Sequence, residues 1–281
     1  MIDIILCAYN SSDTIEQCVS SILNQTYKNF NLFIFDDCST DDTVKKIKSF
    51  HDDRITVVSS KKNIGTYAAK NFVLKNLCKS QYVALHDSDD FSEPERLQKQ
   101  LGFMVLSGAL CVGTAVNEFW DDHKPHTISE NKDSIGSRKN TYPKIIETSD
   151  LKSLLTSLAP EGSYEDYLKF KFCMNGTVLF NRDILQTLGG WDGNTRIAAD
   201  TDIFIRILGL SKIYNISEAL YNRRFHSKSL TASRNVGINS EERKNYNLAR
   251  KPVVENSLAG KPTVREFYYP DFKYKIIKCA E

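Results

Sequence analysis

Three carboxylates within four residues, Asp87, Asp89 and Asp90, follow directly on the apolar run Tyr82-Val83-Ala84-Leu85. Like charges this close repel one another and cannot enter an apolar core unpaired. A strand that ends on them has two uses for them. One is a solvated turn whose aspartates cap the next helix. The other is a seat for a hard divalent cation such as Mg²⁺ or Mn²⁺. Such ions take one or two protein carboxylates and leave positions for phosphate oxygens. A metal at this turn therefore implies a diphosphate, and a diphosphate at a strand end implies a nucleotide.

The elements that must carry the turn are legible in the hydrophobic pattern. Residues 2–8 are a short β-rich apolar run. A helix follows, with Ile15, Val19, Ile22 and Leu23 on one face and Asp13 and Glu16 spaced as a capping box. Strand-like Phe30–Phe35, helical Thr43–Phe50, strand-like Ile55–Ser59 and a helix from Thr66 to Cys78 come next. Strand-like Tyr82–Leu85 and a helix from Pro94 to Leu106 complete the alternation. Strands alternating with helices predict a parallel, doubly wound sheet, in which ligands bind beyond the carboxyl ends of the strands.

That rule gathers the polar residues on one edge. Tyr9 and Asn10 follow the first strand, Asp36 and Asp37 the second, Lys61, Lys62 and Asn63 the third, and Asp87–Asp90 the fourth. Asp37 is placed to accept the ring N–H of a uracil or thymine, and Tyr9 to stack on the base. There is no GxGxxG after the first strand and no GxxxxGK[ST] anywhere, which removes a dinucleotide dehydrogenase and a P-loop enzyme. A sugar nucleotidyltransferase calls for a glycine-rich loop where this chain has Ala8-Tyr9-Asn10-Ser11-Ser12. A haloacid dehalogenase-type phosphatase wants its aspartate pair at the first strand.

Composition narrows the class. With 37 basic and 35 acidic residues the net charge is +2, so no general nucleic-acid-binding field exists. No apolar run approaches the ~18 residues of a membrane span, and the opening "MIDIILCAYN" reads as a strand rather than a signal peptide. Seven cysteines without a CxxC pair predict reduced thiols and a cytoplasmic setting.

After residue 108 the alternation weakens. Strand-like Leu110–Val116 precedes an irregular, polar Asp121–Thr148, a candidate lid, and Phe172–Phe180, Ile184–Leu188 and Ile203–Leu210 restore order. Ser240–Arg250 is expected to be helical. The tail mixes Phe267, Tyr268, Tyr269, Phe272 and Tyr274 with Arg265, Lys273, Lys275 and Lys278. These residues either cover the sheet or dock 265–278 peripherally on the inner face of an anionic membrane.

The chain resembles an inverting family 2 glycosyltransferase of GT-A fold. The resemblance rests on "AYN" at 8–10, "DDCSTDDT" at 36–43, "NIGTYAAKN" at 63–71, "DSDD" at 87–90, "GGWDG" at 189–193, "AADTDIFIR" at 198–206 and "RRFHSKSLT" at 223–231. It implies a Rossmann-like, mostly parallel sheet flanked by helices, in one large domain. Residues 1–110 would form the nucleotide-sugar-binding half and 111–234 the acceptor-binding and catalytic half. Residues 235–281 would form a C-terminal extension.

The resemblance also implies roles. Ala8, Tyr9, Asn10, Asp37, Lys70, Asp87 and Ser88 would hold the nucleotide, with Asp36 supporting its turn. Lys70 stands where the family often has arginine, keeping the charge without the planar fork. Asp89, Asp90 and His226 would hold Mn²⁺ or Mg²⁺, His226 being otherwise a surface histidine beside Arg223 and Arg224. Asp200 would be the catalytic base, and Asp202 the alternative, or a first-turn charge. Trp191 would be either a core aromatic or, with Asp192, the sugar-facing wall; Gly189 and Gly190 would end a helix at Leu188. His51, His123 and His126 are left to structural roles.

The implied activity is transfer of a sugar, a hexose or N-acetylhexosamine, from a nucleotide diphosphate, best a UDP-sugar, to a glycan or lipid-linked hydroxyl with inversion. A sugar nucleotidyltransferase and a catalytically silent sugar-nucleotide or glycan-binding module are the alternatives.

Overall fold

The computed structural model of the chain describes residues 1–120, 138–140, 142–158, 172–226 and 240–279. Most of the expected excursion Asp121–Thr148 lies outside the described residues, as do His123, His126 and the 227–231 end of the late basic motif.

The first half folds as the pattern dictates. Strands β1 (Ile2–Ala8), β2 (Phe30–Asp36), β3 (Ile55–Ser60) and β4 (Tyr82–Asp87) lie side by side and parallel, in the order β3-β2-β1-β4. Each strand is apolar on both faces because each face is covered by helices. Ile4, Leu6, Leu32, Ile34, Val57 and Ala84 meet α1 (Ile15–Leu23), α2 (Thr43–Lys48) and α4 (Arg96–Ser107). Ile5, Phe33, Phe35, Val58, Val83 and Leu85 meet α3 (Thr66–Asn76) on the other face. The Asp13/Glu16 capping box does not form. Helix α1 begins after Thr14, and Glu16 pairs instead with Lys46 at 2.7 Å.

The second half changes the sheet. Beyond a two-residue β5 (Phe91–Ser92), β6 (Cys111–Trp120) and β10 (Ile213–Phe225) run parallel to each other. Short β7 (Arg138–Asn140) and β8 (Ile145–Ile146) flank them, with α5 (Leu151–Ser157) following. A three-residue β9 (Leu179–Asn181) lies antiparallel between β4 and β6 and sews the halves into one sheet. The parallel character predicted from the alternation is thus confined to β3-β2-β1-β4 and the β6–β10 pair. Helices α6 (Arg182–Thr187) and α7 (Ala199–Leu208) pack on the α3 face.

The C-terminal segment returns over that same face. Helices α8 (Glu241–Leu248) and α9 (Lys251–Leu258) precede an extended run to β11 (Tyr274–Lys278), which adds antiparallel to β3. Of the two expectations for the tail aromatics, packing accounts for most of them. Tyr269, Phe272 and Tyr274 set their rings 5.0–5.3 Å from Phe72, and Phe272 lies 5.6 Å from Phe35. Aromatic rings meeting edge to face hold one another beyond the area they bury. Among the described residues no helix is long and apolar enough to cross a membrane.

Candidate active site

The carboxyl ends of β1 to β4 meet at one edge, and the loops there are laced together. The carbonyl of Ala8 accepts the N–H of Asp37. Asn10, with φ +48, accepts the N–H of Thr40 at 2.8 Å and gives its own N–H to Ser39. Asparagine tolerates that left-handed backbone. These bonds leave Tyr9 53% exposed at the rim, available to a base.

Asp36 supports its turn by accepting from Ser39 N–H and the Ser59 hydroxyl. Asp37 is 4% exposed, and its two oxygens accept the N–H groups of Ile64 at 2.7 Å and Gly65 at 2.8 Å. Each oxygen keeps a second lone pair for a ring N–H. Burial pushes this carboxyl up; the two amides pull it down without cancelling the rise. A cleft of about 250 Å³ opens beside Ile64, lined by Lys62, Asn63, Arg196 and Tyr268 among others.

At the fourth strand end the carboxylates part company. Asp87 is half-buried, within reach of the Lys70 charge. Burial raises its carboxyl, the Lys70 charge opposes that rise, and the charge of Asp200 adds to it. Lys70 is 2% exposed with its ammonium 5.6 Å from the Tyr67 ring centre. Gly176 presses on the same spot: a Cβ there would stand 2.7 Å from Asp87 Oδ2 and 2.5 Å from the Tyr221 hydroxyl. Ser88 exchanges a 2.8 Å hydroxyl bond with Ser11, and its carbonyl accepts from Thr14.

Asp89, 32% exposed, meets His226 Nε2 at 3.0 Å. Among the described residues no three His, Cys, Asp or Glu side chains cluster as a metal cage. One exposed carboxylate and one imidazole nevertheless fit an Mn²⁺ or Mg²⁺ that keeps its other positions for water and phosphate oxygens. Asp90 departs from expectation. It is buried, and its Oδ1 accepts the N–H of Arg224 at 2.7 Å. Burial, with the charges of Asp89 and Asp87, holds it well above the usual carboxylate range. It ties the acidic turn to β10 rather than facing a ligand.

Asp200 is the second residue of α7, where the helix dipole favours a carboxylate. Its Oδ1 accepts the N–H of Thr201 at 2.9 Å and faces the Tyr67 hydroxyl at 3.4 Å. Its charge reaches Asp87, Tyr67 and Cys173. The base candidate therefore touches α3, the helix that also carries Lys70.

Asp202, the alternative base, does not reach it. The side chain is fully buried and ion-paired with Arg206 at 2.8 Å and with Arg265 at 2.8 Å. Burial would raise its carboxyl, yet the Arg265 bond and the charges of Arg206 and Arg265 outweigh that and hold it below the ordinary 3.8.

The sugar wall expected at 191–192 is not there. Trp191 takes the core alternative: it is 0% exposed and lies edge-on to Phe180. Asp192 spends its carboxylate on the Tyr246 hydroxyl at 3.0 Å and on Arg265 at 3.3 Å. Gly189 does end α6, with φ +75, and it has a second reason to be glycine. A Cβ there would fall 1.5 Å from the carbonyl oxygen of Arg265.

Sequence reasoning missed Tyr67, Arg196, Tyr221 and Arg265. Tyr67 and Arg196 lie inside or beside the quoted motifs, and adjacency was a usable signal for both. Tyr221, two residues before the motif at 223–231, offered the same signal, whereas Arg265 comes from a distant segment and nothing local marks it.

A sequence model of the family described as Glycosyl transferase family 2 matches residues 3–189. The O-antigen biosynthesis glycosyltransferase WbnJ of Escherichia coli is 29% identical over 242 residues, covering 83% of this chain and 83% of that one. The UDP-Glc:alpha-D-GlcNAc-diphosphoundecaprenol beta-1,3-glucosyltransferase WfaP of Escherichia coli is 41% identical over 104 residues, 37% of this chain and 41% of its own. S. aureus TarS 1-349 in complex with UDP-GlcNAc shares the GT-A fold. Its TM-score is 0.59 at 18% identity, covering 91% of this chain and 72% of that one.

Proposed function

The chain belongs to glycosyl transferase family 2, and from that premise we propose that it moves a sugar from a UDP-sugar to a hydroxyl of a glycan or lipid-linked acceptor, with inversion. The observation that carries this reading is the contact of Asp200 with Tyr67 at 3.4 Å, on the same helix and against the same ring as Lys70. An acceptor hydroxyl is a poor nucleophile at neutral pH, and a carboxylate opposite the leaving diphosphate removes that handicap.

In the proposed step Asp200 takes the acceptor proton as the hydroxyl oxygen bonds to the anomeric carbon. The bond from that carbon to the diphosphate oxygen breaks, and the electron pair leaves with UDP. Lys70, buried beside Asp87, meets the charge that grows on the diphosphate. Tyr9 packs on the base, Asp37 accepts its ring N–H, and Ala8, Asn10 and Ser88 hold the loops that frame it. Asp89 and His226 would hold Mn²⁺ or Mg²⁺, which supplies charge neutralisation at the diphosphate when bound. A UDP-sugar donor agrees with the names of WfaP and of the TarS complex, and the diphosphoundecaprenol acceptor in the WfaP name agrees with a lipid-linked acceptor.

Thermal-shift titration with UDP-, GDP- and dTDP-sugars in Mn²⁺, followed by donor hydrolysis, tests the reading. Stabilisation by UDP-sugars with release of UDP is the expected result. Pyrophosphate formation from UTP and a sugar phosphate, or binding without turnover, would overturn it.

A further inference from the structure

The C-terminal segment packs behind the helix that carries Asp200, and one of its side chains grips that helix's buried carboxylate, Asp202. Arg265 spreads its guanidinium across both oxygens of Asp202, Nη2 to Oδ1 at 2.8 Å and Nε to Oδ2 at 3.0 Å. Its third nitrogen lies 3.3 Å from Asp192. Such two-pronged pairs fix orientation as well as proximity. The backbone of Arg265 is equally committed. Its N–H bonds the Leu188 carbonyl, and its own carbonyl lies against Gly189 with no room for a side chain there.

Helical geometry gives this clamp a consequence for chemistry. Residues two apart on an α-helix are turned by about 200°, so Asp200 and Asp202 leave α7 on nearly opposite sides. Asp202 points into the core and Asp200 toward the Tyr67 hydroxyl of α3. Whatever holds Asp202 therefore helps, with the buried Ile203, Phe204 and Ile207, to set the rotation of α7 and the aim of Asp200. Arg206 also binds Asp202 from one turn along the same helix, and donates to the Leu188 and Gly190 carbonyls at 2.7 and 2.6 Å, which ties it to the turn after α6. Arg250 steadies the preceding turn by donating to the Ala198 carbonyl at 2.9 Å. Arg265 adds the two-pronged bond from the C-terminal segment to Asp202 itself.

We propose that Arg265 is a positioning residue for the transfer step, a clamp from the C-terminal segment that aims the Asp200 carboxylate by holding Asp202. The proposal rests on the reading of Asp200 as base. It also places an element needed for turnover well beyond residue 189, where the family match ends.

Hydrogen–deuterium exchange and donor turnover in the full chain test it together. Arg265→Ala removes the clamp; Arg265→Lys keeps the charge, loses the fork and guards against a variant that fails to fold. Exchange is read over 197–205 and, as a control, over β1 and β4. Turnover is read as hydrolysis of UDP-glucose and UDP-N-acetylglucosamine in Mn²⁺. The expected result is faster exchange over 197–205 with the controls unchanged, and turnover lower by about 10- to 100-fold, the range expected for a misaimed group. Donor KM stays within about twofold, because uniform binding is untouched, and added guanidinium partly restores Arg265→Ala. Parent-like exchange over 197–205 and parent-like turnover in Arg265→Lys would overturn the proposal, as would loss of protection spread evenly over the controls.

Asp200→Asn separates the clamp from the base. If Asp200→Asn keeps parent turnover while Arg265→Lys loosens 197–205, the base assignment falls and the clamp on α7 stands. If Asp200→Asn is inactive and Arg265→Lys matches the parent in both readouts, the base stands and the clamp falls.

Discussion

Tyr67 of α3 points its hydroxyl at Oδ1 of Asp200 across 3.4 Å, so a helix of the nucleotide half touches the residue assigned to deprotonate the acceptor. The contact is long for a hydroxyl bond, and Tyr67 is nearly buried. Tyr67→Phe keeps the ring that Lys70 packs on and loses only this contact. Turnover should fall a few-fold, on the scale of about 1 kcal/mol for one long hydrogen bond to the Asp200 carboxylate, with donor KM unchanged. Steady-state kinetics of the variant against its parent check this, and an altered KM alone would contradict it.

Asp200 and Asp202 should fail in different ways. Asp200→Asn can still accept a backbone N–H but cannot take a proton, so turnover should drop at least ~100-fold while UDP affinity persists. Asp202→Asn leaves Arg206 and Arg265 without their buried counter-charge, and should cost about 3–5 kcal/mol of stability. Urea unfolding and single-turnover kinetics on both variants discriminate the roles. Parent-like turnover in Asp200→Asn together with abolished turnover in Asp202→Asn at full stability would reverse them.

The metal assignment divides Asp89 from Asp90. Asp89→Ala and His226→Ala should both weaken Mn²⁺-dependent UDP binding, and Asp89→Ala should do so without large effects on folding, because the Asp89 carboxylate is partly exposed whereas His226 is buried. Asp90→Ala should instead lower the melting temperature, since the buried N–H of Arg224 loses its acceptor. Calorimetric titration of UDP with and without Mn²⁺ gives the first result and thermal melts the second. Full turnover of the parent in EDTA would remove the metal from the mechanism.

His86, whose Nδ1 lies 2.8 Å from the Asp87 carbonyl oxygen, gives the protein an acid-labile point directly beneath the donor edge. Burial, with the nearby Arg96 charge, lowers its imidazole from 6.5 to about 3. The folded state therefore binds fewer protons than the unfolded chain between those values. Stability is complete above 6.5 and is lost as pH falls toward 3, with a limiting slope of about 1.4 kcal/mol per pH unit. Urea midpoints at several pH values from 7 to 4.5 should show this slope, and His86→Gln should flatten it. An unchanged slope would assign the loss to other groups.

The donor edge was legible because each of its parts is local. Apolar runs end on Asp-, Asn- and Lys-rich turns, and a parallel sheet brings such turns to one edge whatever the chain does elsewhere. Asp200 at the start of α7 was legible for the same reason, since Ile203 and Ile207 mark the buried face from three residues on. Trp191, Asp192 and Asp202 read ambiguously because their partners lie far off. Asp192 and Asp202 are claimed by Arg265, 73 and 63 residues later, and no spacing rule encodes such a pair. The antiparallel β9 escaped notice because three residues carry too little periodicity to announce a strand.

The place of β11 sets a schedule for biogenesis. It pairs with β3 through Tyr274 opposite Ser60 and Lys278 opposite Thr56, so 214 residues separate the first pair (274 − 60). At about 5–20 residues per second on the ribosome, β3 waits roughly 10–40 s with its outer backbone groups unpaired. An open edge of that kind is a template for pairing with another chain. During that interval the nascent protein is exposed to misassembly on crowded polysomes, and substitutions that weaken β11 should lower the soluble yield of newly made enzyme out of proportion to their effect on finished molecules.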